Sequence, residues 1–209
     1  MKHFLRRWTA LFLIVFLVLA FGACSSRVTV VEVINEPVSE ELYSVTGGSI
    51  SEVIASIQAG MMSGFNGYGG QRFAAYAGVN IYYEYQVNSS VLGDCRVDKI
   101  KVTTRPYMKV PQWKSSGSFE ASMLPNWLRY IKALRIHEDG HIEIGLVAAS
   151  SFAAHFTYPN AVKAKNCREL DVLIRQIYDV EMAKANQENI DYDKRTGHGR
   201  TQGTNEAWN

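Results

Sequence analysis

The sequence holds little cysteine and little proline, three and five among 209 residues. No C-x-x-C pair exists, so there is no sulfur-held zinc site to consider. Positive charge is also scarce once Lys2, Arg6 and Arg7 are set aside: the remainder carries 19 basic against 20 acidic residues. That balance leaves no basic footprint for nucleic acid. The glycine-rich stretch from 60 to 72 has no Lys-Ser/Thr after its glycines and no helix start behind them, so it is not read as a phosphate cradle. No internal repeat and no second domain are visible.

What is present begins with a leader. MKHFLRRW is a positively charged start, and ALFLIVFLVLAFGA is an unbroken apolar run. The run suits a signal-peptide core better than a spanning helix. Gly22 and Ala23 before Cys24 read as a bacterial lipobox, with Phe21 where Leu is more usual. Residues 1–23 are then a signal peptide, and Cys24 is the first mature residue and carries lipid. Ser25 and Ser26 behind it favour the outer membrane, by likeness to Gram-negative lipoproteins. The expectation is an exported, periplasm-facing lipoprotein. Cys95 and Cys167 remain as an even pair and are expected to join in an oxidising compartment. Closing so long a loop stabilises a fold by about 4 kcal/mol in the chain-entropy picture.

Residues 24–42 read as a lipidated tether and a leading extended segment, and 43–209 as one domain. Ser49-x-x-Glu52 resembles a capping box that opens a short helix with Val53, Ile54 and Ile57 on one face, stopped at Gly60. Residues 79–87 and 95–110 are strand-like, and Asn88 to Gly93 supplies turn residues, so a hairpin is expected. Pro106 and Pro111 are expected to end the sheet. Two long helices follow, one from about Pro125 to Phe156, the other opened by Asn166-x-x-Glu169 and running to about Asn189. The last twenty residues read alone as a polar tail. The expected class is α+β, a short antiparallel sheet packed on two long helices.

The first long helix carries LRIHEDGHIEIG. Its apolar positions recur every three or four residues through Trp127, Ile131 and Leu134, and this phase turns His137 and His141 inward. Residues four apart on a helix are neighbours, which lets two imidazoles reach one metal. Glu138 beside them has the place of the general base in H-E-x-x-H proteases. Asp139 is read as solvated. Gly140 weakens a helix interior by about 1 kcal/mol and is read as permitting a close approach. A catalytic zinc usually has three protein ligands, so a third is needed. His155 shares the face but lies about 21 Å from His141 at 1.5 Å per residue. The histidine of metzincins, six residues past the second, is Val147 here. Glu181, on the inward face of the second helix, and His198, in YDKRTGHG, remain.

These features together resemble the bacterial family of predicted secreted zinc-dependent proteases, long known only as a domain of unknown function. The likeness rests on Tyr43 to Gly47, the tryptophan-led helix ending in HEDGH, Cys95 with Cys167, and YDKRTGHGRTQG. It covers most of residues 43 to 203. It implies that His198 belongs to the site as the third zinc ligand, with Glu181 either orienting an imidazole or taking that place itself. Tyr192 is a candidate oxyanion donor and Asp193 a candidate for orienting an imidazole or shaping the turn. The expectation is a zincin-like envelope metallopeptidase that binds Zn2+ and cleaves a protein or peptide substrate. The alternative is a zinc-binding lipoprotein acting as a binding or assembly factor.

Overall fold

The computed structural model describes residues 28–63, 72–89, 94–114, 120–157, 159 and 161–205. The leader, Cys24 and most of the glycine-rich stretch lie outside the described residues, as does the centre of the 88–93 turn. The chain is α+β. In chain order it runs β1 (Val30–Asn35), β2 (Ser39–Val45), α1 (Ile50–Gly60), β3 (Met62–Ser63), β4 (Arg72–Phe73), β5 (Tyr76–Ser89), β6 (Cys95–Trp113), α2 (Glu120–Ala154), β7 (Lys163–Ala164) and α3 (Cys167–Thr196). A short 3-10 turn, Arg200–Gln202, follows.

The sheet is organised by β6, which is 19 residues long. β5 pairs with one edge of it, antiparallel. Along the other edge lie β7, β1 and β2 in series, β7 antiparallel and the other two parallel. The expected hairpin is therefore present, but the sheet is mixed rather than antiparallel. Residues from Val30 onward belong to it, so the leading segment is part of the fold and not only a tether. β6 also runs through Pro106 and Pro111, against expectation. Pro106 falls between the last β1 partner, Thr104, and the first β2 partner, Tyr107. Pro111 lies beyond Lys109, the last partner of β5. Each proline sits where one edge of the strand has no ladder to break.

The helices cover one face. Val45, Val53, Ile57, Met108, Val110, Trp127, Tyr130, Leu134 and Ile142 form one buried cluster. Val97, Ile100, Val102, Phe152, Phe156, Leu170 and Ile174 form the other. The opposite side of β6 carries Lys99, Lys101, Arg105 and Lys109, each paired with a glutamate on a neighbouring segment. This one-sided alternation is what an antiparallel or mixed sheet with helices on a single face requires.

Both capping residues act as read. The Ser49 hydroxyl accepts from the Glu52 N–H, and the Asn166 side chain accepts from the Glu169 N–H at 2.9 Å. α2 starts five residues before Pro125, which falls inside the helix. α3 runs back along α2, so Phe152 meets Tyr178, His141 meets Asn189 and His137 meets Asp193. The Cys95–Cys167 disulfide is formed and ties the first residue of β6 to the first residue of α3. The expected tail is not a tail: α3 continues to Thr196 and ends at Gly197, which adopts φ +57°. The Gly197 N–H reaches the Lys194 carbonyl and the His198 N–H reaches the Asp193 carbonyl, the paired bonds of a Schellman ending. Only a left-handed residue closes that pattern, and glycine does so without strain.

Candidate metal centre

Helical phase delivers the two histidines as expected. His137 and Glu138 are 4% and 3% exposed, and His141 stands one turn on. Their Nε2 atoms are 3.3 Å apart. From α3, Oδ1 of the buried Asp193 lies 3.1 Å from His137 Nε2 and 3.2 Å from His141 Nε2. These three side chains are the group among the described residues whose donor atoms converge closely enough to hold an ion.

The far side of each ring decides which nitrogen carries the proton. Tyr192 donates its hydroxyl to the His137 carbonyl at 3.1 Å and accepts from Gln202 Nε2 at 2.9 Å. That orients the Gln202 amide so that its oxygen faces His137 Nδ1, at 3.0 Å. Asn189 Oδ1 faces His141 Nδ1 at 2.8 Å. An amide oxygen only accepts, so both Nδ1 atoms are N–H donors, and in the neutral imidazoles both Nε2 atoms present lone pairs. Two lone pairs and a carboxylate oxygen then face one another across 3.1 to 3.3 Å. Such a trio repels unless positive charge lies among it. Tetrahedral zinc with bonds of about 2.0–2.1 Å sets its ligand atoms about 3.3 Å apart, so the donor set fits that ion in chemistry and in span. His141 shows the same preference for positive charge. Burial pulls its basicity down, contacts to Asp193 and Asn189 raise it, and the net direction is up.

Glu138 is not in the donor set. Burial pushes its carboxyl up to about 7, against the attraction of His141 and His137. The Ala77 N–H of β5 hydrogen-bonds to the carboxylate, while Oε2 is buried and has no hydrogen-bond partner. A buried orphan acceptor of this kind is costly and rare, and points to a proton, water or substrate that meets it in function. Glu138 is among the residues that line a cleft of about 600 Å3 between α1, β4 and α2.

The other expected residues fall out as follows. Asp193 supplies the third donor, where His198 or Glu181 was expected. His198 stands close by, its Nδ1 3.5 Å from the same Asp193 oxygen, on a side chain 43% exposed at the cleft. Its φ of +55° is unusual for a non-glycine residue and follows from the turn that begins at Gly197. Glu181 lies twelve residues up α3 from Asp193, about 18 Å along the axis. Its carboxylate holds His155 at 3.2 Å and Lys184 at 2.8 Å, so it is not a ligand of this site. Tyr192 is not placed as an oxyanion donor, because its hydroxyl is committed to His137 and Gln202 and its ring stacks on His137 at 5.1 Å.

Tyr192 also accounts for Gly140. A Cβ at residue 140 would lie 2.2 Å from the Tyr192 hydroxyl oxygen. Glycine in the middle of HEDGH is the opening through which the tyrosine reaches the His137 carbonyl. Asp139 is exposed, as read. Asn189 and Gln202 were missed. Asn189 carried a signal, being four residues before Asp193 on one face of a helix. Gln202 lies in the YDKRTGHGRTQG stretch that carries the resemblance, but nothing local marked its role, since a turn of unknown path brings it to His137.

An α+β chain with a buried two-histidine, one-aspartate donor set beside an isolated glutamate defines a candidate metalloprotein. Residues 40–199 match the family described as bacterial protein of unknown function (DUF922), and the chain belongs to that family. No curated protein matches it. No solved structure matches it either.

Proposed function

We propose that this protein is a zinc-dependent peptidase of the bacterial envelope, exported and lipid-anchored through Cys24, with a zincin-like active-site helix. The observation that carries the reading is the pairing of the donor trio with Glu138, a residue that lines a cleft and keeps one carboxylate oxygen buried without a partner. A site built only for structure has no use for that group. His137 and His141, through Nε2, and Asp193, through Oδ1, would hold the ion. Zinc bound there supplies Lewis acidity toward a water and a substrate carbonyl.

The chain does the rest. Asn189 and Gln202 hold the imidazoles in the tautomer that leaves Nε2 bare. Glu138 takes the proton of the attacking water and returns it to the leaving amine. The outer edge of β5 from Val79 to Val87 pairs with no other strand among the described residues, and this strand reaches Glu138 through Ala77. An extended peptide can add to such an edge by backbone hydrogen bonds, which supports a peptide substrate.

The test is metal analysis of the purified chain together with cleavage of a broad peptide library by wild type and Glu138→Gln. Zinc near one per chain in both, with cleavage lost in the variant, is the expected result. Zinc without Glu138-dependent cleavage would replace the enzyme with a zinc-binding lipoprotein that acts as an assembly factor.

A further inference from the structure

The cleft beside Glu138 has a polar end and an apolar body. His137, Glu138 and His198 form the polar end, and Gln58, Thr204 and Asn205 add uncharged polar groups to the lining. The body is walled by Ile54, Ile57 and Met61 at α1, Phe73 of β4, and Tyr130 and Leu134 of α2. Glu138 is the only acid among the described lining residues, and none of them is Lys or Arg. At about 600 Å3 the space exceeds one side chain and admits a bulky residue with its flanking backbone.

We infer that this cleft is a specificity subsite that takes a large apolar side chain, Leu, Ile, Met or Phe, next to the bond under attack. The inference rests on the peptidase reading, because it is Glu138 at the polar end that brings the reacting bond to the mouth of the cleft. An apolar side chain gains by leaving water for such walls. An acidic one loses its hydration and finds no Lys or Arg there, and a basic one finds no acid in the body of the cleft, since Glu138 stands at the polar end and is engaged with the reacting bond. Folded proteins bury residues of this kind. The substrate class is therefore extended or unfolded segments that expose apolar residues, rather than polar surface loops. An apolar pocket of this sort discriminates by roughly 10–200-fold per group of mismatch.

The experiment uses one peptide scaffold varied at a single position. Binding is measured to the zinc-loaded Glu138→Gln chain, and cleavage by the zinc-loaded wild type. Leu and Phe peptides should bind roughly 10–100-fold more tightly than Asp or Lys peptides, with the cut beside the varied position. Ile54 is only half-buried, so Ile54→Glu tests the wall directly: it should raise Lys and Arg peptides while lowering Leu, an inversion that misfolding cannot produce. If that variant does not fold, Ile54→Ala should reduce the Leu preference at unchanged zinc content. Apolar preference in binding with no cleavage by the wild type supports the cleft and removes the peptidase reading. Cleavage without side-chain preference overturns the cleft and leaves the peptidase standing. Equal binding of all the peptides, or of none, also overturns it.

Discussion

Replacing Gly140 with alanine sets local propensity against tertiary packing. By helix propensity alone, alanine in a helix interior should stabilise by about 1 kcal/mol. The new Cβ, however, would lie 2.2 Å from the Tyr192 hydroxyl oxygen, 2.3 Å from Cζ and 2.9 Å from Cε1. Non-bonded carbons settle at about 3.5–4.0 Å, so the ring must retreat by more than about 1 Å. That retreat breaks the hydrogen bond to the His137 carbonyl and the one from Gln202, and it spoils the stack on His137. Overpacking costs about 1–3 kcal/mol and each lost hydrogen bond about 1 kcal/mol. Against the propensity gain, the net is a loss of about 3 kcal/mol. For a domain of this size that lowers the unfolding temperature by roughly 6–12 °C, at about 2–4 °C per kcal/mol. Thermal unfolding in chelator measures it without a metal contribution. A competition titration should then show zinc affinity lowered by roughly 10-fold, because Gln202 no longer orients His137. Tyr192→Ala in the same chain should recover most of the clash energy. A Gly140→Ala chain more stable than wild type, with unchanged zinc affinity, would refute the packing argument.

Asp193→Ala should abolish stoichiometric zinc, whereas His198→Ala should keep it; the reverse, read by metal analysis after dialysis, would restore His198 as the third ligand. Asn189→Leu and Gln202→Leu should each weaken zinc by roughly 10–100-fold while the fold persists, since they remove the acceptors that hold Nδ1–H. Equal affinity in a chelator competition would show that the tautomers are set some other way. Cys95→Ser should cost about 4 kcal/mol of stability in denaturant titrations, and a change below about 1 kcal/mol would show that the bridge does not restrain the unfolded chain.

The two histidines and the glutamate were legible because they obey one local rule. A period of 3.6 residues turns positions four apart to the same side whatever the rest of the chain does. The capping residues Ser49 and Asn166 were legible for the same reason, since each acts within three residues of itself. Pro106 and Pro111 were misread because their cost depends on which edge of β6 has a partner, and that is a property of β1, β2 and β5. The helical character of Tyr192 and Asp193 was missed because propensity weakens toward the glycines, while packing against α2 carries the helix on to Thr196.

Sequence alone determined the composition class, the pairing of Cys95 with Cys167, the α+β character and two donors with a neighbouring carboxylate, all of which rest on local spacing or counting. Tertiary structure decided the third donor, the tautomers and the reason for Gly140. Asp193, Asn189, Gln202 and Tyr192 meet α2 only because α3 returns antiparallel along it. The Gly197 turn then brings Gly199 and Gln202 over His137. Contacts between residues some fifty to sixty-five positions apart are set by how two helices pack on one sheet, and no periodicity within either helix encodes that.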